Sequence, residues 1–116
     1  MSANPLEKEI ERKLKILVEG KLKGLCLKWV CPGWSGVPDR ILLLPGGRVQ
    51  FAELKRPKGS KTSELQMWWK RKLEGLGFTV WHIHTLDDIN RIGEQENAGN
   101  QDDIKNLIAR LRPDSQ

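Results

Sequence analysis

Long apolar stretches are missing from this 116-residue chain, in which no segment approaches the roughly 18 apolar residues that a membrane-crossing helix needs. Its basic residues do not gather on one long amphipathic helix either, so no membrane partner is expected. Cysteine is equally scarce. Cys26 and Cys31 are five apart, which fits neither a C-x-x-C metal knuckle nor a disulfide framework, and both read as free, mostly buried thiols. Met1 to Pro5 is short and polar where a secretory leader would be apolar, so the expected compartment is a reducing cytoplasm. No internal repeat is visible. The length suits one small domain burying roughly 65% of its unfolded surface, and leaves no room for a two-domain enzyme.

Acidic residues are also thin over one long stretch. Residues 12–72 carry fifteen Lys or Arg against four Asp or Glu, whereas residues 73–116 carry four against eight. The overall charge of +5 hides that asymmetry. A basic stretch of this size favours a polyanionic partner, because every phosphate neutralised releases condensed counterions. Solubility alone is the competing explanation.

Hydrophobic periodicity orders the chain. Leu6, Ile10, Leu14, Leu17 and Val18 recur at helical spacing after Pro5, predicting a first helix to about Lys23. On its wheel Glu7 lies near Leu14 and Glu11 near Val18, so either can lean toward a site, while Glu9 projects away. A strand is expected over Leu25 to Cys31, then a loop through Pro32, Gly33, Trp34, Ser35 and Gly36. Arg40 to Pro45 and Arg48 to Lys55 read as strands joined by Gly46-Gly47, a strong signal for a two-residue type I′ hairpin. Ser63 is placed to cap a second helix through Leu76, with Leu65, Trp68, Trp69, Leu73 and Leu76 apolar. Phe78 to His84 reads as a fourth strand and Leu86 to Ile92 as a short helix. Residues 1–92 form the expected domain. A polar linker then opens at Gly93, followed by an amphipathic helix over Asp103 to Leu111 to which the sequence assigns no role.

The chemistry-bearing residues fall inside the predicted hairpin. Asp39 opens one strand, and Glu53 and Lys55 lie two apart near the far end of the other, so alternation points both to one face. Antiparallel pairing brings Asp39 beside them. Two carboxylates about 4 Å apart repel by roughly 4 kcal/mol at an effective dielectric near 20, so such a pair needs a proton, a cation or distance. A divalent ion is the economical solution, and hard oxygen ligands with open water positions suit magnesium or manganese. Lys55 then faces a phosphate or the attacking water. Taken singly, Asp39 reads as a turn residue and Glu53 with Lys55 as a solvated strand face. Together, in strands otherwise built of Ile, Leu, Val and Phe, they are more than a core requires.

Other residues keep two readings. Gln66 follows Ser63 by three, as a capping-box partner does, and it also fits a side chain aimed at the site or at DNA. His82 and His84 lack Cys partners for zinc, and read as lining a sheet face or touching DNA. Trp29, Trp68, Trp69 and Trp81 fall in helix and strand patterns and are expected in the core, whereas Trp34, in a Gly-rich loop, suits stacking on a base.

The order of an acidic first helix, Gly-Val-Pro-Asp-Arg at 36–40, Glu-Leu-Lys at 53–55, a basic loop, Gln66 and Gly-Phe-Thr-Val at 77–80 resembles the VRR-NUC (virus-type replication-repair nuclease) domain of the PD-(D/E)xK nuclease superfamily, over about residues 5 to 92. The resemblance implies an α/β fold, a small mixed β-sheet flanked by helices in a restriction-endonuclease-like core. It implies a Mg2+- or Mn2+-dependent DNA endonuclease in which Asp39, Glu53, the Leu54 carbonyl and Glu7 hold the metal, Lys55 is the catalytic lysine and Gln66 the polar position of the following helix. Arg40, Arg56, Lys58, Lys61 and Trp34 are the expected DNA contacts. A homodimer resolving four-way (Holliday) junctions in DNA repair, in a bacterial or phage-infected cell, is the leading expectation. A flap-specific or nonspecific nuclease is the alternative, and a non-catalytic DNA-binding module with the same fold is another.

Overall fold

The computed structural model describes residues 5–55 and 63–96, with the backbone alone for residues 5 and 6. The expected DNA contacts Arg56, Lys58 and Lys61 and the helix expected at 103–111 lie outside the described residues. The described part is α1 (Pro5–Lys15), a π-helical turn (Ile16–Lys21), β1 (Leu25–Lys28), β2 (Arg40–Leu44), β3 (Arg48–Leu54), α2 (Glu64–Gly75) and β4 (Thr79–Ile83). Residues 86–96 form a further helix, α3. The strands lie side by side in chain order, β1–β2–β3 antiparallel and β3–β4 parallel. A parallel neighbour requires a crossover, and α2 supplies it. This is the mixed α/β sheet flanked by helices that the sequence implied.

Alternation along the strands divides the core in two. Leu42, Leu44, Ala52, Leu54 and Ile83 pack with Ile10, Leu14, Val18 and Leu22 of the first helical segment and with Ile89 and Ile92 of α3. Phe51 and Val80 face the other way, onto Leu73 of α2. Since side chains two apart share a face, Glu53 and Lys55 follow Phe51 to the α2 side. The strands therefore read as near-continuous apolar runs, as sheets covered on both faces do.

Several boundaries differ from the sequence expectation, each for a physical reason. The first helix was expected to run unbroken to about Lys23, but it widens to a π turn at Ile16 and ends at Lys21. Ile10, Leu14, Val18 and Leu22 are spaced by four, and in an ideal helix of 3.6 residues per turn such a row drifts off its face. A turn with i→i+5 bonds, such as Leu22 N–H to the Leu17 carbonyl at 2.9 Å, keeps all four buried. β1 stops at Lys28 and not at Cys31, because its partner begins at Arg40; Trp29 N–H instead donates to the Asp39 carbonyl at 2.9 Å. The hairpin register pairs Leu44 with Arg48, so three residues, not two, form the turn. Pro45 has no N–H for the ladder and joins Gly46 and Gly47, both at the positive φ that glycine allows.

Of the tryptophans expected in the core, Trp29, Trp69 and Trp81 are half-buried against it, but Trp68 is 44% exposed. The apolar stripe of α2 is wider than the sheet beneath it: Leu73 is buried, while Leu65 and Leu76 are exposed. Cys26 is buried and Cys31 half-buried, and both are free thiols. Residues 93–96, expected in the linker, belong to α3, and the rest of the expected linker lies outside the described residues. Buried Glu96 accepts from Arg48 at 2.6 Å and from Gln50 Nε2 at 3.0 Å, tying that part of α3 to β3.

Candidate active site

The hairpin register sets Arg40 opposite Ala52, so Asp39, just before β2, comes to stand beside Glu53. The two carboxylates interlock through the backbone. Asp39 N–H donates to Glu53 Oε1 at 3.1 Å, and Leu54 N–H donates to Asp39 Oδ1 at 3.3 Å. Gln66, in the first turn of α2, completes the cluster: its Nε2 donates to Glu53 Oε2 at 2.6 Å, and its Oε1 accepts from Lys55 Nζ. Gln66 is also the capping-box partner of Ser63, whose Oγ accepts from Gln66 N–H at 3.1 Å while its own N–H donates to Gln66 Oε1 at 3.2 Å. Both readings of Gln66 therefore hold at once, and the helix cap is what aims its amide.

Electrostatics at this cluster is unbalanced. Burial, and then the neighbouring Asp39 charge, push the Glu53 carboxyl up to about 7, against the lowering by Lys55, the Asp39 N–H and Arg40. Asp39 is also raised, chiefly by burial, with Glu7 and Glu11 adding to the rise and Arg40 and the Leu54 N–H opposing it. The site therefore holds carboxyl groups that lack full compensation for their negative charge.

Arg40, expected at the DNA surface, is instead buried at 7% exposure. Its guanidinium meets Glu11 Oε2 at 2.9 Å and donates to the Asp39 carbonyl at 2.9 Å, with the Asp39 carboxylate 3.7 Å away. It steadies Asp39 from behind, because even-numbered β2 residues face α1. Glu11 is thereby engaged with Arg40, while Glu7, one turn earlier, is half-buried, and both carboxylates act on Asp39 through their charge.

His82 is the neighbour that sequence reasoning placed too loosely. It pairs in register with Glu53 on the parallel strand, so it belongs to the site face. Burial, then Lys70 and Lys55, push its imidazole down to about 4, so it is neutral near pH 7. Its parity with Val80, an inward residue, was the available signal. Trp34 is 62% exposed and meets Trp69 edge-on at 5.8 Å, while the Trp69 indole N–H donates to the Ser35 carbonyl at 3.0 Å.

Among the described residues, no three His, Cys, Asp or Glu side chains gather closely enough to hold a metal ion by themselves. The donor set nevertheless fits magnesium or manganese. Such ions are commonly held by one or two carboxylates together with waters and phosphate oxygens, and Asp39 and Glu53 are two hard, under-compensated donors.

Comparison with known proteins places this chain among nucleases. The protein named Putative nuclease p44, from Acyrthosiphon pisum secondary endosymbiont phage 1, is 40% identical over 81 residues, covering 70% of this chain and 85% of that one. A solved VRR_NUC domain superposes with a TM-score of 0.72 at 25% identity, over 78% of this chain and 97% of its own. No family model matches the sequence.

Proposed function

Because this chain belongs to the VRR-NUC family of nucleases, we propose that it is a divalent-metal-dependent endonuclease of structured DNA, working at Asp39, Glu53 and Lys55. The observation that carries the proposal is the interlocked carboxylate pair, raised in pKa and joined through Gln66 to a buried ammonium. Asp39 and Glu53 would hold magnesium or manganese, with the Leu54 carbonyl and Glu7 supporting. Bound there, the ion would supply Lewis-acid polarisation of a phosphate and a more acidic water.

The chain's own side chains do the remainder. Lys55 sets a positive charge beside the carboxylates, where the phosphate oxygens gain negative charge as the bond to the leaving oxygen breaks. Gln66 orients that ammonium and Glu53 together. Arg40 restrains Asp39 without neutralising it fully. Neutral His82 leaves the local field to Lys55 and Lys70.

The substrate proposed is a four-way junction cut by a homodimer. Resolution requires two symmetric incisions, and a two-fold dimer presents two sites to two equivalent strands. Labelled junction, flap and linear duplex, each with and without manganese, test this. Paired cuts in opposite junction strands are the expected result, and cutting confined to flaps would replace the junction proposal. Asp39→Ala and Glu53→Ala should each slow cleavage by about 10²–10³-fold. Metal-free DNA binding should persist. Wild-type cleavage rates in either variant would overturn the assignment.

A further inference from the structure

The loop that leads into Asp39 and the helix that carries Gln66 also enclose an open groove that the cutting chemistry does not use. Its walls include Trp34 and Ser35 on one side and Leu65, Trp68, Trp69 and Arg71 of α2 on the other. Trp69 is the anchor, half-buried and tied by its indole N–H to the Ser35 carbonyl at 3.0 Å. Trp34 and Trp68 both meet it edge-on, at 5.8 Å and 83° and at 5.1 Å and 88°. Edge-on contacts do not stack ring on ring. Trp34 remains 62% exposed and Trp68 44% exposed, with Leu65 at 43% beside them.

We propose that this groove receives an unpaired nucleobase of the DNA being cut, so that strands with an unstacked nucleotide beside the scissile phosphate are preferred over continuous duplex. The proposal rests on the assignment of the Asp39–Glu53 cluster as the cutting site and names the substrate feature read next to it. Three observations favour a base over another occupant. The first is chemistry: the lining is mainly aromatic and apolar, which suits the flat π-surface of a base, and its two charged side chains, Arg71 and Glu64, are of opposite sign, so the aromatic rings and not net charge would hold the occupant. The second is continuity. Gln66 touches Glu53 and Lys55, and Trp69 lies one turn further along the same helix, about 4.5 Å in axial rise. Nucleotides along one strand of B-form DNA rise about 3.4 Å each, a step comparable to that rise along α2, so a base close in sequence to the cut phosphate would come within reach of the Trp69 side of the groove. The third is rigidity. The loop packs closely on α2 at Gly36, where a Cβ would come within 2.5 Å of Leu65 Cγ, so the groove is preformed and not a gap between loose parts. Base pairing and stacking within duplex must be lost before a base can enter, which costs least where the strand is already unpaired.

The test uses full-length protein without divalent cation, so that binding is read independently of cleavage. Two duplexes of equal length are compared, one continuous and one with a single unpaired 2-aminopurine near its centre. Wild-type protein should bind the second more tightly and quench its fluorescence. Trp68→Ala and Trp34→Ala should each weaken binding to that duplex by about tenfold, the order that loss of one base–aromatic stack produces. Affinity for continuous duplex should stay within about twofold, and Trp34→Phe should restore most of the selectivity. Equal losses on both duplexes, or none, would overturn the proposal. So would a shift from dimer to monomer in sedimentation of Trp68→Ala, since that would assign the groove to a second copy of the chain. Retained thermal unfolding excludes a folding defect. Selective binding without manganese-dependent cleavage in wild type would sink the nuclease reading alone, whereas cleavage with no base selectivity would sink this inference alone.

Discussion

Glu53 is pulled two ways: burial and Asp39 favour its proton, while Lys55 and the Asp39 N–H favour its charge. With the folded carboxyl raised from 4.5 to about 7, the native state keeps a proton that the unfolded chain has released across that interval. The stability so gained is complete below about 4.5 and is lost as pH rises through about 7, up to the order of 3 kcal/mol. His82 acts in the other direction, its depressed pKa costing stability as pH falls from 6.5 toward 4. Comparison with Glu53→Gln isolates the carboxyl. In chelator, wild type should lose stability relative to that variant as pH rises from about 5 to about 8. Manganese at neutral pH should raise the melting temperature of wild type and not of the variant. Parallel melting curves across pH would show that Glu53 carries no such strain.

Residues differ in how far the sequence alone exposed them. Asp39, Glu53 and Lys55 were legible because a hairpin relates them through local rules, alternation and a glycine turn. Arg40 was misassigned because its partner, Glu11, lies on a helix far along the chain, and no periodicity connects the two. Gln66 offered two local readings, and only packing of α2 beside β3 joined them.

At the scale of elements, the capping box of α2 does double duty. Ser63→Ala should cost about 1 kcal/mol in urea unfolding through the lost cap. It should also reduce cleavage at unchanged DNA affinity, since Gln66 would no longer be held toward Glu53 and Lys55. A variant with wild-type stability and activity would separate the cap from the site. In the β2–β3 turn, Gly47 has φ of +73°, so Gly47→Val should destabilise the protein by more than about 1 kcal/mol. The existence and type of every described element except the π turn follow from patterns in the sequence. Their bounds moved where a partner strand stopped, as at Lys28, and residues 93–96 joined α3, where buried Glu96 finds partners on β3.

For the whole molecule, the distribution of charge would set the long-range encounter with the DNA proposed as substrate. No helix among the described residues is long and apolar enough to cross a membrane. The basic stretch ahead of α2 includes Lys58 and Lys61, and if both meet phosphates, Lys58→Ala and Lys61→Ala should each lower the slope of log K against log salt by about 0.9. An unchanged slope in titrations at several salt concentrations would remove those side chains from the interface. The dimer proposed for junction cutting is checked by sedimentation of free protein, which should give twice the chain mass.

Local order along the chain was enough to determine the sheet-forming hairpin, the helix starts and the face on which Glu53 and Lys55 lie, because periods of 2 and near 3.6 act between residues close in sequence. Tertiary structure alone decided that Arg40 turns inward to Glu11, that His82 borders Glu53, and that Trp34 and Trp68 line one groove. Those outcomes depend on which distant segments pack together. Burial and neighbouring charge then set what each side chain can do, and neither quantity exists until the sheet and its helices have closed.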